Sequence, residues 1–208
     1  MKKIRIFILA LFTYCTLTID NCFAQWVWQN PLPQGEYLYN ISFTNTGIGA
    51  AVGYLGTIIR TTNGGANWSL QSSGTTTRLS SVSLADANSG TVVGNNGLIL
   101  NTTNGGVNWN LQTSGTANTL NGVFCTDANT GTAVGNNGTI LRTTNGGINW
   151  NLQTSGTTGT LLSVFFTDAN TFMSNSWRSY LARKIIRARD KSYGVRSTVT
   201  LSPGRILM

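Results

Sequence analysis

The octapeptide Thr-Thr-Asn-Gly-Gly-x-Asn-Trp occurs three times, at Thr61 to Trp68, Thr102 to Trp109 and Thr143 to Trp150, with 41 residues between equivalent positions in both intervals. Spacing that does not drift is a structural period. A period near 40 fits one blade of a β-propeller or one helical pair of a solenoid, and the residue types decide between them. Glycine enters positive φ without steric cost, and a short Asn side chain can bond the backbone beyond it, so Asn-Gly-Gly is hairpin chemistry. The repeat is a unit of strands.

Aligning the chain at this offset exposes four strand-like runs per unit. In the second unit they are Leu79 to Leu84, Thr91 to Gly94, Leu98 to Asn101 and Trp109 to Gln112, separated by Asp86 to Gly90, by the Asn95-Asn96-Gly97 turn and by the Asn-Gly-Gly hairpin. Short strands joined by tight turns at fixed period predict an all-β fold, a propeller whose blades are four-stranded antiparallel sheets. The inner runs are apolar on both faces, so each sheet must stack on a neighbour. Trp68, Trp109 and Trp150 recur at one place per unit and are expected to fill the wedge between sheets.

Three complete units are expected, over residues 37–71, 78–112 and 119–153, with a partial fourth over 160–171. Trp26-Val27-Trp28-Gln29 resembles a lone fourth strand ahead of them. Three and a half blades do not close a ring, which takes about four to eight. The chain therefore reads as a truncated propeller, or as one that copies complete by associating through open blade ends.

The repeated motif resembles the Asp-box, or bacterial neuraminidase repeat, whose pattern is Ser/Thr-x-Asp-x-Gly-x-Thr-Trp. Thr61, Gly65 and Trp68 match it in the first copy, Thr102, Gly106 and Trp109 in the second, and Thr143, Gly147 and Trp150 in the third. Asn63, Asn104 and Asn145 replace the Asp, which keeps the turn-forming acceptor and removes its charge; Asn67, Asn108 and Asn149 replace the second Thr. With the Ala-Val-Gly-Asn-Asn-Gly-Thr-Ile-Leu run ahead of it, the unit is similar to propellers of the photosystem II stability and assembly-factor type, also common in secreted bacterial proteins. The resemblance spans about residues 25–171. It implies that the motif residues hold a hairpin together, and it implies no particular activity.

Residues 1–24 have a basic start, a short apolar run and small residues at the end, which predicts a secretory signal peptide cleaved after Ala24 and a secreted, periplasmic or cell-surface location. The formal charge of +8 belongs to the ends of the chain. Between Gln25 and Thr171, Arg60, Arg78 and Arg142 face Glu36, Asp86, Asp127 and Asp168, so the repeats are close to neutral. Residues 172–208 carry eight cations against Asp190 and share nothing with the repeat. A broken reading frame would account for both. A basic amphipathic helix built on Trp177, Leu181, Ile185 and Ala188, resting on a membrane or nucleic acid, is the alternative.

No cofactor or metal is expected. The chain has no histidine, and Cys125 alone remains once the signal peptide is removed; it stands where other units carry Leu84 and Phe166, as a small buried hydrophobe. A sialidase needs convergent carboxylates and an arginine trio. Asp86, Asp127 and Asp168 are instead repeat-related turn residues that do not converge, and Glu36 is the only glutamate. Arg60 and Arg142 occupy one repeat position and are candidate partner contacts, against the plainer reading of solvated side chains. The expectation is an exported, non-catalytic scaffold for a protein or glycan partner. A sialidase-type hydrolase and a basic-tail binder of nucleic acid or membrane are the competing readings.

Overall fold

A computed structural model describes residues 35–168, 171–176, 184–187 and 200–201, with side chains described through residue 166. The signal-peptide region and the Trp26 to Gln29 fragment lie outside the described residues. The strands form four antiparallel sheets, each with its strands in chain order. The first holds β1 (Leu38–Phe43), β2 (Gly49–Gly53), β3 (Ile58–Thr61) and β4 (Ser69–Gln71). The second holds β5 (Leu79–Leu84), β6 (Gly90–Gly94), β7 (Ile99–Thr102) and β8 (Asn110–Gln112). The third holds β9 (Leu120–Cys125), β10 (Gly131–Gly135), β11 (Ile140–Thr143) and β12 (Asn151–Leu152). These are the expected blades, with strand ends within a residue or two of those read from the repeat.

The fourth sheet holds β13 (Leu161–Asp168), β14 (Thr171–Ser176), β15 (Lys184–Arg187) and β16 (Thr200–Leu201). Strand pairing thus continues past the point where the repeat stops being readable. Lys184–Arg187 is extended and pairs with Thr171 to Ser174, so the amphipathic-helix reading does not hold for those residues. The open edge of β13 offers backbone donors and acceptors to any extended chain, and pairing of that kind does not require the repeat's side chains.

Consecutive sheets stack through apolar clusters that belong to pairs of blades. Val52 and Ile58 of the first sheet meet Leu79, Val82, Val92 and Leu100 of the second, with Trp109 packed against them. Val93 and Ile99 of the second meet Leu120, Val123, Leu141 and Trp150 of the third. Val134 and Ile140 of the third meet Leu161, Val164 and Phe166 of the fourth. Every residue of β2, β6 and β10 is buried, as an inner strand covered on both faces requires.

Between the second and third strands of each unit runs a short 3-10 turn, Tyr54–Gly56, Asn95–Gly97 or Asn136–Gly138. Its middle residue is left-handed, at φ 49° for Leu55, 57° for Asn96 and 56° for Asn137. Asn tolerates that region and Leu does not.

Candidate functional site

The repeated motif closes a small hydrogen-bond network that is nearly identical in its three copies. In the second, the Thr102 hydroxyl donates to Asn104 Oδ1 at 3.0 Å and accepts from the N–H groups of Gly106 at 2.9 Å and Asn104 at 3.4 Å. Asn104 Oδ1 also accepts from Asn108 N–H at 3.0 Å. Thr61 and Asn63 make the same bonds in the first copy, and Thr143 and Asn145 in the third. Both glycines are left-handed; Gly105 and Gly106 have φ of 69° and 84°. The second glycine also seats the indole, since a Cβ at Gly106 would stand 3.3 Å from Trp109 Nε1, at Gly147 3.5 Å from Trp150 and at Gly65 3.6 Å from Trp68. The motif therefore bends the hairpin and carries its tryptophan onto the preceding sheet. Trp150 is 7% exposed and buried between sheets, and Trp109 is half-buried there. Trp68, on the first sheet, is half-buried edge-on against Phe43 at 6.1 Å.

Arg60 and Arg142 are half-buried and reach the following sheet, so neither is a freely solvated side chain. Arg60 Nη2 donates to Ala87 O at 2.9 Å, in the turn that joins β5 to β6, and its guanidinium lies over Gly105. Arg142 lies 5.9 Å from the centre of the Phe166 ring. Asn101, at the same repeat position, bonds Thr91 at 3.4 Å and sits beside Gly147 of the next unit. This layer ties successive blades together.

A second tie runs along the first strand of each sheet, an edge strand. Asn40 Oδ1 and Ser42 Oγ accept from the N–H groups of Val82 and Leu84, at 3.0 and 3.1 Å. One sheet later, Ser81 and Ser83 Oγ accept from Val123 and Cys125 N–H, at 3.3 and 2.9 Å. An edge strand would otherwise present these donors unpaired. The pattern ends at the third sheet, where Gly122 and Phe124 hold the equivalent positions. Gly122 allows backbone contact with Ser163, and Phe124 packs on the Phe165 and Phe166 rings at 6.2 and 5.7 Å. The sequence signal for this ladder is the polar pair at 40 and 42 and again at 81 and 83, inside runs otherwise read only for their apolar residues.

The acidic turn residues make turns. Asp86 Oδ1 accepts from Asn88 and Ser89 N–H at 2.7 and 2.8 Å, and those donors hold its carboxyl below the usual range. Asp127 accepts from Asn129 and Thr130 at 2.7 and 2.8 Å. Desolvation pushes its carboxyl up, but the hydrogen bonds outweigh that and leave it lowered. Asn45 makes the same turn in the first unit without a charge. Cys125 lies half-buried against the second core, and burial pushes its thiol up, away from the reactive thiolate.

The family model for photosynthesis system II assembly factor YCF48 matches residues 21–182. A solved structure of YCF48 bound to D1 peptide is similar, with a TM-score of 0.66 at 20% identity over 84% of this chain and 56% of that one. YCF48 from Cyanidioschyzon merolae gives 0.63 at 24% identity, over 85% of this chain and 59% of that one. The chain thus spans somewhat more than half the length of either. A GH74 enzyme from Niastella koreensis shares the fold with a TM-score of 0.60 at 19% identity, over 82% of this chain and 30% of that one. No curated protein matches the sequence.

Proposed function

The chain belongs to the photosynthesis system II assembly factor YCF48 family, and on that premise we propose that it is an exported, non-catalytic scaffold that binds a segment of a protein partner. The observation that carries this reading is the family match over residues 21–182, which takes in all the repeats. The YCF48 structure bound to D1 peptide adds a fold relative that holds a peptide. The chemistry of the repeats agrees with it. Motif threonines and asparagines, Arg60 and the acidic turn residues all direct polar groups at the chain's own backbone. These groups are thereby committed to holding the sheets together, which leaves the loops and outer faces as the surface for recognition. The basic, apolar start of the chain supports export, with a mature protein beginning at Gln25.

The purified chain is expected to bind a limited subset of peptides on an array tiled from exported proteins of its own organism. It is expected to leave sialyllactose and xyloglucan oligosaccharides intact under prolonged incubation. Repeated turnover of either sugar, abolished by a single carboxylate substitution, would refute the scaffold reading. N-terminal sequencing of the exported product tests the location, and an intact N-terminus retained in the cytoplasm would overturn it.

A further inference from the structure

Repeats of one unit supply an internal reference. A position fixed only by folding keeps its character from sheet to sheet, and four positions of the first sheet carry large aromatic or aliphatic residues where the second and third sheets carry polar ones. Tyr37, Tyr39, Tyr54 and Leu55 stand where the second unit has Arg78, Ser80, Asn95 and Asn96, and where the third has Thr119, Asn121, Asn136 and Asn137. These residues are joined through the backbone, since Tyr54 N–H donates to Tyr37 O at 2.8 Å and Leu38 pairs with Gly53. All four are exposed, at 77%, 43%, 44% and 50%. Arg78 and Asn96 are exposed at the repeat positions of Tyr37 and Leu55, so the exposure of those two does not come from the place of their sheet at the start of the stack; Ser80 and Asn95, at the positions of Tyr39 and Tyr54, are half-buried. Leu38, Ile41 and Phe43 differ in this respect, being exposed where Leu79, Val82 and Leu84 pack between sheets.

Leu55 adds a second observation. It holds the left-handed backbone that Asn96 and Asn137 adopt, yet it carries an apolar side chain into solvent. A left-handed leucine whose side chain is half exposed is the kind of backbone outlier that accompanies functional surfaces. Beside it an open groove of about 670 Å³ runs past Leu55, Leu70, Gln71, Thr75 and Thr76. The exposed Arg78 guanidinium lies 4.1 Å over the Tyr39 ring, while Arg60 and Arg142 are half-buried between sheets.

We infer that Tyr37, Tyr39, Tyr54, Leu55 and Arg78 form the docking surface for an extended segment of a protein partner. The segment lays apolar side chains on the tyrosines and along the groove, and sets a carboxylate against Arg78. This rests on the reading of the chain as a protein-binding scaffold. Tyrosine and arginine are the anchor residues of protein interfaces, and exposed leucines have little to offer a sugar's hydroxyl groups. A single cation is too few for a phosphate backbone.

The test selects a phage-displayed random dodecapeptide library on the full mature chain and measures the affinity of the enriched peptides by fluorescence anisotropy. The comparison protein carries Tyr37→Thr, Tyr39→Ser, Tyr54→Asn and Leu55→Asn, residues that other units already hold at these positions. It is therefore expected to unfold in urea at or above the wild-type midpoint. Enriched peptides should combine apolar residues with Asp or Glu, and should bind the comparison protein at least about tenfold more weakly. Arg78→Gln should weaken the acidic peptides by about three- to tenfold and leave neutral analogues unchanged. Peptides that bind both proteins equally would overturn this surface and leave the scaffold reading intact. Failure to enrich any peptide would count against both. Cellohexaose binding lost in the comparison protein, or a dimer in sedimentation velocity that it disperses, would overturn the choice of a protein segment as occupant.

Discussion

Thr102→Val tests whether the hydroxyl of the repeated motif holds the hairpin. Thr102 is 1% exposed, and its hydroxyl takes part in three hydrogen bonds, one of them to the buried N–H of Gly106 at 2.9 Å. Valine keeps the shape and the methyl group but removes all three. A neutral hydrogen bond contributes about 1 kcal/mol net, and a buried donor left without an acceptor costs about 1–3 kcal/mol more. The long contact to Asn104 N–H contributes least, which places the expected loss near 3 kcal/mol. Urea unfolding followed by tryptophan fluorescence reads it, with Trp109 as the local reporter. Thr103→Val, one residue away and exposed, is the control and should stay within about 0.5 kcal/mol. Asn104→Asp should also be mild, because a carboxylate oxygen can accept the same two bonds. If Thr102→Val and Thr103→Val shift the midpoint equally, the network does not hold the hairpin and the account of the motif fails.

Leu55→Asn should raise stability by about 1 kcal/mol by relieving a left-handed leucine, and Asn96→Leu should lower it by a similar amount; paired urea midpoints check the opposite signs. Trp150→Ala should cost about 3–5 kcal/mol in the same assay, and Trp68→Ala clearly less, since only Trp150 is buried between two described sheets. Gly122→Ala should cost about 1–3 kcal/mol, because a Cβ there would stand 2.9 Å from Ser163 Cα in the next sheet; a neutral result would show that the third and fourth sheets part easily. Asp86 and Asp127 have lowered carboxyl values when folded, so their contribution is fully present above the unfolded value of about 4 and fades as pH falls through the folded values. A thermal melt series below pH 4 should therefore be flatter for the Asp86→Asn, Asp127→Asn double variant, and an unchanged slope would remove these turns from the acid response.

The sequence determined everything whose partners lie within one unit. Thr102, Asn104, Gly106 and Asn108 bond one another across two to four residues, so their fixed order in three copies was enough to reveal the hairpin and the strands around it, while the recurrence of the tryptophans pointed to one contact between units. Membership of a propeller followed from the period. Beyond the tryptophans, only the tertiary structure decided what each unit does to the next. Arg60 reaches a carbonyl 27 residues ahead, and Ser81 and Ser83 accept backbone N–H groups 42 residues ahead, contacts between separate sheets whose partners the repeated polar pair does not name. The same holds for the fourth sheet, where β14 and β15 pair through backbone groups common to every residue, so their side chains carry no repeat signature. The tyrosines of the first sheet were visible as letters from the start, but a departure from a repeat acquires meaning only once exposure and backbone strain show that folding did not require it.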